Sequence, residues 1–263
     1  MPGALPHDDV GSGPPVVLLH AGVADRTMWR ELLPELARGG YRAIALDLPG
    51  FGDAPADPGR GPHDAVIGSL DELGVERAAL VGISFGAAVA LRIAALAPER
   101  ITALVLVSTP PPLEPSTELE AVWEAEEAAL ARGDIDAAVA AVVDAWTLPD
   151  APPPIRERVA AMQRRAYELQ VSTAAPGNGV VKEPDDPLDA DPEAFAAFTG
   201  PALVAAGEHD MADFRDGAGW IAARLRDARV TTIPGAGHLA PLEQPDLFRE
   251  LLIDHLDVIR AGH

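Results

Sequence analysis

The sequence predicts an α/β protein, a mostly parallel sheet with helices on both faces. Three observations carry that expectation. Short apolar runs alternate with helix-period stretches at both ends of the chain. Gly- or Pro-containing turns close many of those runs. Between the two alternating parts lies a separate tract, 117–172, rich in Ala and Glu and helical almost throughout.

The elements follow in order. Residues 16–19, Val-Val-Leu-Leu, lie between Pro14-Pro15 and a Gly22-containing turn, and read as a buried strand. A helical stretch at 28–38 leads to a second strand, 41–46, which ends at Asp47-Leu48-Pro49-Gly50. Helix 64–73, strand 78–81, helix 86–96 and strand 103–107 complete βαβ units with short loops, and Pro110-Pro111-Pro112 stops the last strand. In the helical tract Thr117 with Glu120 forms a capping box, Asp134 caps a second helix, and Pro152 to Pro154 precede a third. Residues 173–191 carry Pro176, Gly177, Gly179, Pro184 and Pro187 and read as loop. The alternation resumes with strand 202–206, helix 214–226, strand 230–233 and helix 241–259. The expected organisation is a core of 1–110 and 200–263, split by a helical cap insertion at 111–199.

Composition narrows the function. The chain has 263 residues, 48% of them hydrophobic, which excludes global disorder. It holds 0 cysteines, so disulfides, thiolate metal sites and a cysteine nucleophile are excluded. Asp and Glu number 41 against 20 Lys and Arg, for a net charge of −21. A polyphosphate partner would meet a repulsive field, so no nucleic-acid partner is expected. No apolar run reaches the roughly 18 residues of a membrane span, and residues 1–15 lack the basic start of a secretory signal. The expected location is cytoplasmic, with no membrane partner; the oligomeric state is left open.

The central chemical signal is Gly82-Ile83-Ser84-Phe85-Gly86, a G-x-S-x-G between a strand and a helix. Such a turn packs backbone tightly, hence the glycines, and presents the Ser84 hydroxyl at the strand's carboxyl end. Serine is a weak nucleophile near neutral pH and needs a base. Of the 7 histidines, His238 in Gly235-Ala236-Gly237-His238 follows the last strand, where a loop at the carboxyl edge of the sheet can bring imidazole to the elbow. The base needs an orienting carboxylate, and Asp210 in Gly207-Glu208-His209-Asp210 follows strand 202–206 at the same edge. Glu208 and Asp213 are its rivals, Asp213 reading better as the cap of the next helix. The order Ser, Asp, His is one of the known triad orders. The oxyanion donors expected are the N–H of Phe85, after the serine, and one from His20-Ala21-Gly22-Val23.

These motifs, with Trp29 and Asp47-Leu48-Pro49-Gly50-Phe51-Gly52, resemble the α/β-hydrolase superfamily over nearly the whole chain. The segment 237–245 and the short cap are similar to small esterases, enol-lactone hydrolases and cofactor-free perhydrolases. The resemblance implies a mostly parallel sheet of about eight strands under a helical lid. It also implies Gly22 as the first-loop oxyanion donor. Two features depart from the pattern. His20-Ala21 stands where His-Gly is usual, and the segment before Val16 is short and rich in Pro and Asp, so the first edge hairpin is reduced. Haloalkane dehalogenases and epoxide hydrolases of this fold place aspartate at the elbow, so Ser84 argues for acyl transfer.

The expected function is hydrolysis of a small carboxylic ester or lactone by a Ser84-His238-Asp210 triad, with no cofactor and no metal. Carbon–carbon bond hydrolysis, perhydrolysis, or non-catalytic binding of a small molecule on the same fold are the alternatives. Trp123, Trp146, Met162 and Tyr167 fall on insertion helices and are the candidate pocket residues, lid core being the other reading. Arg164 and Arg165 read as helix-surface arginines rather than carboxylate ligands. The acids Asp185, Asp186, Asp189 and Asp191 lack a calcium-loop pattern and read as a solvated loop.

Overall fold

The computed structural model describes residues 3–173 and 185–261. Among these, seven strands form one sheet: β1 (His7–Gly11), β2 (Pro15–Leu19), β3 (Arg42–Leu46), β4 (Ala78–Ile83), β5 (Ile101–Val107), β6 (Pro201–Gly207) and β7 (Asp227–Ile233). Their order is β1-β3-β2-β4-β5-β6-β7. β1 runs antiparallel to β3, and every other pairing is parallel. The resemblance implied about eight strands. The N-terminal edge is the single strand β1 rather than a hairpin, in line with the reduced edge read from the Pro- and Asp-rich start.

The central strands are apolar on both faces, and alternate residues feed two separate cores. Val16, Leu18, Val81, Val105 and Leu203 face one cluster, shared with α1 (Leu33–Arg38) and α10 (Pro245–Ala261). Val17, Leu19, Leu80, Leu104 and Val204 face the other, shared with α2 (Pro62–Glu72), α3 (Phe85–Leu96) and α8 (Ala212–Ala222).

Prolines set several helix boundaries more tightly than periodicity suggested. The expected helix 28–38 is a 3₁₀ turn, Arg26–Trp29, followed by α1 with Pro34 in its first turn. A proline inside a continuous helix would lose a bond and clash with the carbonyl four residues back. The expected helix 241–259 is likewise divided, into α9 (Ala240–Glu243) and α10, which starts at Pro245.

The 117–172 tract forms α4 (Thr117–Ala131), α5 (Ile135–Trp146) and α6 (Pro153–Thr173). Asp134 caps α5 by accepting from the Ala137 N–H, as expected. The cap of α4 is Ser116, not Thr117: its hydroxyl accepts from the Leu119 N–H, so Thr117 already lies inside the helix. Asp213 is not a cap either. It lies in the first turn of α8 and accepts from the Ser116 N–H at 2.8 Å and hydroxyl at 2.7 Å, tying α4 to the core.

Residues 174–184, within the expected loop 173–191, lie outside the described residues. Beyond them α7 (Pro187–Ala190) and a 3₁₀ turn at Ala194–Ala197 follow. Leu188, Phe195 and Phe198 join the cluster of α3 and α8, whereas Leu119, Val142, Val159 and Tyr167 of α4–α6 join the opposite one. The far end of the 111–199 segment therefore packs with the core helices. Asp186 pairs with Arg92 and caps α7, and Asp191 accepts from the Glu193 N–H, so these acids serve local structure. No helix among the described residues is long and apolar enough to cross a membrane.

The two elbow glycines are required by space. A Cβ on Gly86 would stand 2.3 Å from the Leu19 carbonyl oxygen, and one on Gly82 would stand 2.5 Å from that of Gly86. Both obstacles are backbone and cannot swing away. Gly86→Ala is expected to cost about 3 kcal/mol, lowering Tm by about 6–12 °C for a chain of this size. Thermal unfolding followed by circular dichroism checks it, and an unchanged Tm would contradict the packing described.

Candidate active site

Ser84 follows β4 and opens α3. Its φ of 51° and ψ of −117° hold it in left-handed backbone, a region that β-carbon residues seldom occupy. Two bonds fix it there. The Ser84 N–H donates to the Val107 carbonyl, and its own carbonyl accepts from the Ala88 N–H, both at 2.9 Å. Gly86, pressed on Leu19 and His20, lays the start of α3 against the loop after β2.

That loop carries Gly22, whose Cα lies close to Phe85: a Cβ there would be 3.4 Å from the Phe85 Cβ. Among the described residues, neither the Gly22 nor the Phe85 N–H donates to any protein group. Two adjacent unpaired donors, one at a helix start, are what a developing oxyanion needs. The loop is held from behind by His20, which is fully buried. Its Nδ1 donates to the Ala21 carbonyl at 2.8 Å and its Nε2 accepts from the Leu48 N–H at 2.9 Å. These bonds define a neutral ring, and burial pushes its pKa down. Asp47, also fully buried, braces the same region, accepting from the Arg26 and Asp53 N–H groups at 2.8 Å each.

Asp210 and His238 meet at the end of the sheet. His238 Nδ1 lies 2.9 Å from Asp210 Oδ1, which also accepts from the Met211 N–H. Both side chains are almost wholly buried. Gly207 makes their loops adjoin, since a Cβ there would be 2.1 Å from the Gly237 carbonyl oxygen. The imidazole is flanked by Trp146 and Phe214, each with its ring centroid 4.4 Å away. The rivals of Asp210 are occupied elsewhere. Glu208 accepts from the Gly235 N–H at 2.9 Å, and Asp213 holds Ser116.

Gly22, Ser84, Phe85 and His238 line one cavity of about 300 Å³. Of the four candidate pocket residues, Trp123 and Trp146 line it. Met162 and Tyr167 do not. Met162 is buried against Thr27, and Tyr167 stands behind the wall, donating to Glu126 at 2.6 Å. A larger depression of about 380 Å³ lies beside Trp29 and Phe248 and contains none of the triad candidates. Arg164 and Arg165 pair with Asp136 and Asp53. Among the described residues no group of three His, Cys, Asp or Glu side chains is placed to hold a metal.

Sequence reasoning missed four contributors. Phe51, Glu126 and Phe214 line the cavity; Phe51 sits in the Asp47–Gly52 loop already singled out, and Phe214 comes four residues after Asp210. Glu243 accepts from the Gly237 N–H at 2.8 Å and the Leu148 N–H at 2.9 Å, so it ties the His238 loop to the end of α5. Burial raises its pKa.

The fold and the cavity define a class. A family model described as the alpha/beta hydrolase fold matches residues 14–245. The chain belongs to that family, a family of hydrolase-type enzymes. It is 42% identical over 124 residues to the 2-hydroxymuconate semialdehyde hydrolase of Pseudomonas sp. (strain CF600), covering 44% of each chain. It is 41% identical over 105 residues to epoxide hydrolase 2 of Siraitia grosvenorii, covering 38% of this chain and 33% of that one. The matching segment thus spans less than half the length of these relatives. A thermophilic esterase from Thermogutta terrifontis superposes with a TM-score of 0.79 at 27% identity, over 97% of this chain and 93% of that one.

The buried histidines set a pH dependence of stability. Burial lowers the pKa of His20, His63 and His255 below the ordinary value of about 6.5. The unfolded chain takes up protons that the folded one refuses, so their stabilising contribution is full above about pH 6.5 and is lost as pH falls through the depressed folded values. Urea midpoints at pH 7.5 and 5.5 should show the loss, and His20→Gln should show a smaller pH slope than the wild type.

Removing Glu243 tests the loop brace. Glu243→Gln keeps one acceptor oxygen for two N–H donors, so one buried donor loses its partner. The expected cost is about 1–3 kcal/mol, read from urea unfolding.

Proposed function

We propose that the chain is a serine hydrolase of a small carboxylic ester or lactone, acting through Ser84, His238 and Asp210. What carries the reading is one cavity shared by a strained Ser84, the buried His238 and the two unpaired N–H groups of Gly22 and Phe85. Ser84 Oγ attacks the carbonyl carbon while His238 Nε2 takes its proton. Asp210 holds Nδ1–H and so keeps Nε2 as the acceptor. The oxyanion is received by Gly22 and Phe85. Collapse breaks the ester C–O bond, and His238 returns the proton to the leaving alkoxide. Water, deprotonated by His238, then attacks the acyl-serine and releases the acid and free Ser84.

The cap of this enzyme is α4–α6. The packing of Leu188, Phe195 and Phe198 with the core helices supports a cap narrower than 111–199. Trp123 and Trp146 supply its share of the pocket wall.

Carbon–carbon bond hydrolysis is the second reading, favoured by the similarity to the semialdehyde hydrolase. A muconate is a carboxylate, and the described cavity lining offers no arginine or lysine to hold one, which favours the ester reading. Epoxide opening is disfavoured by Ser84, since that branch places aspartate at the elbow.

Fluorophosphonate labelling with a chromogenic ester and lactone panel tests the proposal. Wild type should be labelled at Ser84 and turn over members of the panel. Ser84→Ala should lose labelling and several orders of magnitude in kcat while keeping its fold. Activity above a few per cent in that variant would remove Ser84 from the mechanism.

The third member is tested by comparing three variants at one pH. Asp210→Asn favours the wrong imidazole tautomer and should cost about 10⁴ in turnover. Asp213→Asn, at the Ser116 brace, and Glu208→Gln, at the Gly235 N–H, should lose far less. All three remove one negative charge, so a general field effect would treat them alike. A greater loss in either rival would overturn the assignment of Asp210.

A further inference from the structure

Glu126 is an anomaly in the cavity wall. Apart from His238 it is the one titratable side chain among the described lining residues. Trp123, Trp146, Phe51, Phe85 and Phe214 line the same cavity. Its carboxylate is held in place from behind. Tyr167, itself buried, donates its hydroxyl to Glu126 Oε1 at 2.6 Å, and Gln163 in turn bonds that tyrosine. Burial and the neighbouring carboxylate both keep the Tyr167 hydroxyl protonated, so the proton stays on the donor side. Oε2 has no partner among the described residues.

Asp47, Asp53, Asp136, Asp144 and Asp186 are each paired with an arginine. Among the described residues no arginine, lysine or histidine forms an ion pair with Glu126. Among the described residues Glu126 is thus a held carboxylate without a counter-ion in a cavity lined by aromatic rings, and such a cavity is a receptor for positive charge. Ring faces attract a cation through their quadrupole, and a bulky, weakly hydrated ammonium is the cation that gives up water for them most readily. A substrate carboxylate would instead meet repulsion from Glu126, and the net charge of −21 acts in the same direction on approach.

We propose that the cavity selects esters bearing a cationic nitrogen, with Glu126 as its counter-charge and the surrounding aromatic rings as its walls. The inference rests on the ester-hydrolase reading and names the substrate class for it. Glu126 acts here as a specificity residue; it takes no part in bond breaking.

The test uses three acetate esters of similar size: 2-(trimethylammonio)ethyl acetate, neutral 3,3-dimethylbutyl acetate, and anionic 4-acetoxybutanoate. In the wild type kcat/KM should be about tenfold higher for the cationic ester than for the neutral one, and lowest for the anion. Glu126→Gln should bring the cationic-to-neutral ratio close to one. Glutamine still accepts from Tyr167, so a purely structural latch between α4 and α6 would leave the ratio unmoved. A wild-type ratio near one, or a ratio that survives Glu126→Gln, overturns the proposal.

If the variant does not fold, the wild type alone decides. Tetramethylammonium ion should slow fluorophosphonate labelling of Ser84, and neopentyl alcohol of the same bulk should not; equal effects overturn the proposal. Failure of the hydrolase reading looks different, with neither labelling nor turnover of any ester. In that case a tryptophan-fluorescence titration with tetramethylammonium still reads the cavity. Saturable quenching supports the charge selection, and its absence sinks it.

Discussion

Everything at the carboxyl edge of the sheet depends on backbone meeting backbone with no side chain between. Three glycines make this possible. Gly82 sits within 2.5 Å of the next turn as a Cβ would reach it, Gly86 within 2.3 Å of Leu19, and Gly207 within 2.1 Å of Gly237. Gly82 tightens the serine elbow on itself, and Gly86 clamps it onto the loop after β2. The third brings the loop after β6 onto the loop after β7. Ser84 and the N–H groups of Gly22 and Phe85 thus come from one clamp, His238 and Asp210 from the other. Parallel strands in register carry both clamps: Gly82 pairs with Leu19 on one side and Leu106 on the other. A rigid sheet fixes the distance between the clamps, and catalytic geometry needs tolerances of that kind.

Irregular loops leave backbone N–H groups without ladder partners, and buried ones must be satisfied. Here acidic side chains do much of that. Asp47 serves two N–H groups, Glu243 two more, Glu208 one at Gly235, and Asp213 one at Ser116. His20 does the same as a neutral acceptor toward Leu48. The excess of acid in the composition therefore has a structural component beside its effect on solubility. It also explains why only one of three neighbouring acids, Asp210, is left to face His238.

The fold was legible because its signals are short-range. Apolar runs such as Val16 to Leu19 and Gly-flanked Ser84 report strand and elbow directly, and the order of Ser84, Asp210 and His238 follows from which strand each one ends. Helix ends were less legible where a proline or a neighbouring hydroxyl decided them, as at Pro34, Pro245 and Ser116. The cavity wall was least legible. Trp123 and Met162 both read as helix-face apolar residues, yet one lines the cavity and the other is buried against Thr27. Helical period fixes a face, but what that face meets is set by packing across the chain. Glu126 and Glu243 carried no signal for the same reason: in sequence they are two more acids in an acidic chain, and only the long-range contacts to Tyr167, Leu148 and Gly237 distinguish them.

Those contacts also tie α4–α6 to the segments that carry Asp210 and His238. Trp146, at the end of α5, packs its ring against His238. Two residues on, the Leu148 N–H shares the Glu243 carboxylate with Gly237, the residue before the histidine. At the other end, Ser116 anchors α4 to Asp213, in the same loop-helix segment as Asp210. Helices α4 and α5, which line the cavity through Trp123 and Trp146, are thus fastened to the segments bearing His238 and Asp210. A displacement of α5 large enough to admit a bulkier substrate would strain the Glu243 brace and uncover one face of the imidazole. Cavity shape and the orientation of His238 are coupled through particular contacts along α5. The Ser84 elbow, clamped on β2 and β5, stands outside that linkage.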